Sequence, residues 1–244
     1  MLVVPEFITK LAPSVQPLVF ETGVPEFPYS TSGTVFLVGY KGKAYVITTR
    51  HGLAAENLPA ICVFPTDTSH KLLPLGHMFS VPLEDEPEDF MDLAVIDIAP
   101  SAKSDTELGK ASLIDAIKAY EPDWTSNARS IPLYVVGYPS ERSEIDISTG
   151  NLRTDRIILS GSYEGPSPLP YLHLLRVSGS EEFESFSGFS GGPVFALRQI
   201  AVGIVKPVLC GMAIRGSSSS ALFHFLDASV IIDALDVKSR LEST

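Results

Sequence analysis

The chain is short of cysteine, of clustered basic residues and of uninterrupted apolar runs, and each shortage narrows what it can be. Its two cysteines, Cys62 and Cys210, lie far apart in apolar surroundings and are expected as buried free thiols, which excludes a disulfide scaffold. Only 18 Lys and Arg oppose 29 Asp and Glu, leaving a net charge of −11. A surface that acidic, with no cationic patch, excludes nucleic acid and anionic membrane as partners. Even "IAVGIVKPVLCGMAI" is split by Lys206, so no window can span a bilayer. The opening "MLVVPEFITKLAPSVQPLVF" lacks the basic start and apolar core of a secretory signal, being broken by Pro5, Glu6, Lys10 and Pro13. A soluble, cytoplasmic protein in a reducing compartment is expected. His70, His77, His173 and His224 show no ligand spacing with Cys or carboxylates, and no phosphate-binding loop is present, so neither metal nor cofactor is expected.

What is present is β-forming sequence. With 244 residues, 45% of them apolar, the chain can bury one large core or two small packed ones. Runs at 34–40, 43–49, 60–64, 93–98, 133–138, 156–163, 171–177, 193–197, 201–205 and 221–225 read as strands, and "YKGK" as a hairpin turn between the first two. Ten short strands at this spacing point to barrels or a sandwich. "ASLIDAIKAY" (111–120) has helical periodicity inside a polar stretch that separates two groups of strands. "DASVIIDALDVKSRLE" reads as a C-terminal helix capped by Asp227, with Val230, Ile231, Ala234 and Leu235 on its apolar face. "SSSS" (217–220) reads as a loop. The fold class expected is all-β: two six-stranded antiparallel barrels and a C-terminal helix. The expected boundaries are an N-terminal extension (1–30), a first barrel (31–100), a connection (101–131) and a second barrel with the helix (132–244).

"FSGFSGGPVF", Phe186 to Phe195, places a serine among glycines. A serine hydroxyl attacks a carbonyl only when a base removes its proton, and that base is usually a histidine oriented by a carboxylate. The developing oxyanion needs converging backbone amides with no side chains in the way. Gly188 and Gly191 flank Ser190, and the amides of Gly188 and Ser190 are the candidate oxyanion donors. His51 follows the strand in "AYVITTRHGLAA", and Asp92 opens the alternating strand in "EDFMDLAVIDI". The candidate catalytic residues are therefore His51, Asp92 and Ser190, in that order. "GFSGG" also fits the nucleophile elbow of α/β-hydrolases, which requires the order Ser, acid, His. No Asp or Glu lies between Ser190 and His224, and Pro193 with "VFAL" follows where a helix would be needed, so that assignment fails.

Together these motifs resemble the trypsin-like (chymotrypsin-fold) serine peptidases, closer to the bacterial and HtrA-like branch than to the secreted digestive enzymes. "VITTRHGL" resembles the T-A-A-H segment of that family, "DLAVIDI" its D-[IL]-A segment and "GFSGGPV" its G-x-S-G-G-P segment. "VVGYP" (135–139) is similar to the strand that opens the second barrel, and the likeness runs from about Ser30 to Leu235. The resemblance implies a double barrel with the site between its halves and a serine endopeptidase acting through an acyl-enzyme on protein or peptide substrates. No PDZ-like segment follows the second barrel, as one would in a full HtrA protein.

The sequence also departs from the family. Phe189 stands where the digestive enzymes carry the Asp that receives the new N-terminus on activation, so that zymogen switch is not expected. Narrow specificity, a regulatory protein partner or a distorted resting site is expected to restrain activity. Six residues before the nucleophile, at the base of the family's primary pocket, stands Glu184, with Lys206 near the opposing wall. A buried Glu184 would favour a basic residue before the scissile bond, unless Lys206 neutralises it. "GSEEFESFSG" reads equally as an exposed acidic loop, and "EDEPED" (84–89) either attracts cationic substrates or is a solvated loop. A catalytically silent protein-binding module on the same fold is the alternative function, and an esterase-like hydrolase the third.

Overall fold

The computed structural model describes residues 5–53, 61–69, 71–80, 92–102, 106, 108–146, 151–202 and 204–242. His70 and the acidic run at 84–89 lie outside them. The first sheet comprises β1 (Val15–Val24), β2 (Phe27–Tyr40), β3 (Lys43–Thr49), β4 (Ile61–Val63), β5 (Leu73–Phe79), β6 (Leu93–Ile98) and the short β7 (Ile114–Asp115). Its order is β1-β4-β5-β6-β3-β2-β7, and β1 pairs back onto β2, so six antiparallel strands form a ring with β7 added parallel to β2. After it come β8 (Leu133–Gly137), β9 (Ser143–Asp146), β10 (Asn151–Thr154), β11 (Ile157–Pro166), β12 (Leu172–Val177), β13 (Pro193–Ala201), β14 (Ile204–Ser217) and β15 (Leu222–Asp227). Six of these close a second antiparallel barrel in the order β11-β12-β15-β14-β13-β8, while β9 and β10 form a separate hairpin. The helices are α1 (Glu6–Leu11), α2 (Ala116–Ala119) and α3 (Ala228–Leu241). Among the described residues no helix is long and apolar enough to cross a membrane.

Side chains alternate across a strand, and here both faces of the central strands are covered. On β2, Val35 and Leu37 enter the interior of the first ring, whereas Phe36, Val38 and Tyr40 face a core shared with the second barrel. β6 repeats the division, with Ala94, Ile96 and Ile98 inside and Leu93 and Val95 in the shared core. On β8, Tyr134 and Val136 join the same shared core, while Leu133 and Val135 fill the second barrel. Val230, Ile231, Ala234 and Leu235 of α3 close it. Two-sided burial explains why these strands read as nearly unbroken apolar runs. Asp227 caps α3 by accepting from the Ser229 amide at 2.7 Å. At the "YKGK" turn Lys41 and Gly42 both have positive φ, 47° and 78°, the conformation that suits a two-residue hairpin.

Five stretches differ from the sequence reading. The segment taken as an N-terminal extension supplies β1 and the first four of the 14 residues of β2, so the first ring begins before residue 31. Pro13, Pro17 and Pro28 obscured those strands, although a proline is tolerated where its missing N–H is not needed. The helical pattern at 111–120 yields only one turn, Ala116–Ala119, because Ile114 and Asp115 pair with Val38 and Gly39 of β2. "AVGIV" straddles a bend instead of forming one strand, with Ala201 ending β13 and Ile204 beginning β14. β5 and the β9–β10 hairpin carry too few β-branched residues in alternation to be recognised. Cys62 and Cys210 are buried free thiols, and burial pushes both above the ordinary thiol range.

Candidate active site

The Ser190 turn is shaped by what cannot be placed in it. Gly188 and Gly191 have φ of +92° and +88°, a region costly for any residue with a Cβ. A Cβ on Gly191 would lie 1.9 Å from the Thr34 carbonyl oxygen, and one on Gly188 would lie 2.3 Å from that of Tyr138. The turn is therefore pressed between β2 of the first ring and the end of β8. Thr34 clamps it. Its amide donates to the Ser190 carbonyl at 3.0 Å, and its hydroxyl donates to the Gly188 carbonyl at 2.6 Å while accepting from the Tyr138 amide at 2.9 Å.

The amides along the turn divide into two kinds. Those of Phe189, Gly191 and Gly192 donate to the carbonyls of Phe186, Ala213 and Phe189, at 3.2, 2.8 and 2.8 Å. Those of Gly188 and Ser190 donate to no described residue. Buried amides are normally paired, so two unengaged ones beside a serine hydroxyl form a place for an oxygen anion.

His51 and Asp92 meet because β3 and β6 are antiparallel neighbours. Thr49 pairs with Leu93, so the residues just beyond β3 face the residue just before β6. The Arg50 amide donates to the Asp92 carbonyl at 3.0 Å and the His51 amide to Asp92 Oδ1 at 2.8 Å. The ring completes the grip, with His51 Nδ1 against Asp92 Oδ2. An Nδ1–H held by a carboxylate puts the lone pair of a neutral imidazole on Nε2. The Asp92 side chain is 11% exposed and that of His51 54% exposed, so the acid is sheltered and the base faces outward.

One strand holds both turns. On β2 the Ser32 hydroxyl donates to the Gly52 carbonyl of the His51 turn at 2.6 Å, and Thr34 clamps the Ser190 turn. Residues two apart on a strand are separated by roughly 7 Å, so the His51 and Ser190 turns are anchored side by side. Ser190 itself donates to the Ile214 carbonyl at 2.8 Å. Thr34, Ser32 and Ile214 carry no local sequence signal, and sequence reasoning missed all three.

Glu184 and Lys206 are not brought together. Glu184 is exposed, its amide donating to Glu141 Oε2 at 3.0 Å and its carbonyl accepting from the Ser218 hydroxyl at 2.8 Å. Lys206 reaches Glu121 at 2.9 Å, on the carboxylate that also holds Arg198. Phe189 is fully buried among Phe183, Phe186 and Phe223. A recess of about 1340 Å³ between the two sheets, lined by Gln16, Asp67, Tyr138, Arg153 and Arg156 among others, contains none of His51, Asp92 and Ser190.

A second Asp–His pair lies in the second barrel. His173 Nε2 is 2.9 Å from Asp227 Oδ2 and its Nδ1 is 2.8 Å from the Tyr163 hydroxyl, while Trp124 Nε1 donates to the same Asp227 oxygen at 3.0 Å. Burial pushes the Asp227 carboxyl upward, but the bonds from His173 and Ser229 outweigh it and hold it below the usual range. Compared with protein-family models and with curated proteins, the sequence matches none.

Proposed function

We propose that this chain is a serine endopeptidase with His51, Asp92 and Ser190 as its catalytic residues. The observation that carries the proposal is the His51–Asp92 pair and the Ser190 turn, with its two unengaged amides, anchored on the same strand. In this reading the Ser190 hydroxyl turns from Ile214 toward His51. Oγ bonds to the substrate carbonyl carbon as His51 Nε2 takes its proton, and Asp92 stabilises the imidazolium. The carbonyl oxygen, now anionic, accepts from the amides of Gly188 and Ser190. The C–N bond breaks as His51 returns the proton to the leaving amine. Water then repeats the sequence and releases the acid, so one water is consumed per bond cleaved and the side chains are regenerated. Narrow specificity or a partner protein restrains the activity.

The test is intact mass after incubation with a fluorophosphonate. One adduct is expected on the wild type and none on Ser190→Ala or His51→Ala; an unlabelled wild type would reject a working nucleophile. The bond from Ser190 to Ile214 favours a second reading, a silent binding module in which the hydroxyl stays parked. Turnover of unfolded casein by the isolated protein would count against restraint.

A further inference from the structure

The ground beside Ser190 is filled by the protein's own side chains. Phe186, two residues before Gly188 and four before Ser190, and Phe223 of β15 stack with centroids 4.2 Å apart and planes 13° apart. Both are buried, at 3% and 1% exposure. Phe189 meets each ring edge-on, at 5.8 and 5.4 Å. Gly216, two residues beyond the carbonyl that holds the Ser190 hydroxyl, faces this stack. A single carbon added there would sit 2.7 Å from the Phe223 ring and 2.9 Å from that of Phe186. The Ser218 hydroxyl on the Glu184 carbonyl, at 2.8 Å, laces the mouth between the 183–187 loop and the end of β14.

An acyl group on Ser190 has its directions set by the rest of the site. Its oxygen turns to the amides of Gly188 and Ser190, and its leaving group faces His51. The Ser190 hydroxyl lies on Ile214 and Gly216 lies on the phenyl stack, so a substituent on the acyl α-carbon that runs along Ile214–Gly216 meets those rings. We propose that Phe186 and Phe223 plug this space and restrict the residue before the scissile bond to glycine, alanine or serine. The inference rests on the reading of Ser190 as the nucleophile. It also removes the role considered for Glu184, whose exposed carboxylate lies outside the plugged space.

The test is a panel of N-acyl amino-acid p-nitrophenyl esters assayed on unmodified protein, with fluorophosphonate labelling of a separate aliquot of the same protein. The wild type is expected to hydrolyse the Gly and Ala esters at least ~100-fold faster, in kcat/KM, than the Leu, Phe and Lys esters. Phe223→Ala should raise the Phe and Leu esters by at least ~10-fold while leaving the Gly ester within about threefold. Phe186→Leu, a milder change, should shift the preference in the same direction if the larger truncation does not fold. A wild type whose separate aliquot is labelled, and which takes Leu, Phe or Lys as readily as Ala, overturns the plug and leaves the nucleophile standing. Labelling without turnover of the Gly or Ala ester overturns it too. Absence of both labelling and turnover rejects the nucleophile, and the plug falls with it.

Discussion

Two Asp–His pairs are built into the described residues, and they differ in everything except composition. His51 touches Asp92 through ring and backbone at the end of a strand, with more than half its side chain exposed. His173 is 14% exposed, and both of its nitrogens are engaged, by Asp227 and by Tyr163. Trp124 adds a further bond to the acid and lies edge-on to the His173 ring at 5.0 Å. The second pair is a closed circuit that secures the start of α3; the first lies at an exposed strand end. The same two residue types thus stand in one place open to solvent and in the other sealed into the barrel, according to how much of the ring is covered.

The comparison is broken most severely at the histidines. His51→Ala should slow fluorophosphonate labelling of Ser190 by roughly 10⁴-fold, whereas His173→Gln should leave the rate within about threefold. Equal losses in both would show that the two pairs are not separate. Next in size is Gly191→Ala, which forces a Cβ against the Thr34 carbonyl at positive φ. It should cost about 2–5 kcal/mol and remove labelling along with part of the thermal stability, read by calorimetry.

Asp227→Asn sharpens the contrast from the other side. Replacing a charged acceptor of three donors should cost about 2 kcal/mol, roughly 4–8 °C in Tm for a chain of this size, with labelling unchanged. The smallest effect is in the pH dependence. Because the Asp227 carboxyl is held low in the folded protein, its contribution is complete above the unfolded value of about 3.9 and is lost as pH falls through the folded one. Urea midpoints measured from pH 6 to pH 2.5 should therefore fall less steeply in Asp227→Asn than in the wild type.

The sequence made this contrast half legible. His51, Asp92 and Ser190 sit in short segments whose local pattern carries their geometry: a strand end, a strand start and a glycine-flanked turn. The apolar face of α3 and its Asp227 cap were legible for the same reason. His173 had no such segment, because its partners come from three other elements. The clamp by Thr34 and the Phe186–Phe223 stack were equally hidden, since each joins residues far apart in the chain. Strand β1 and the first half of β2 were missed through their prolines, and the exposed fate of Glu184 depends on a loop course that local residues do not determine.

The bond from the Thr34 hydroxyl to the Gly188 carbonyl spans 154 positions, and it sits at the seam where both turns are anchored. At about 5–20 residues per second, synthesis of that interval takes roughly 8–30 s. For all of that time the first ring can fold with His51 and Asp92 in place while the turn that would carry the nucleophile does not yet exist. The long reach of one hydroxyl thus acts as a timer: the seam that joins the two turns can close only after residue 188 of the 244 has been made.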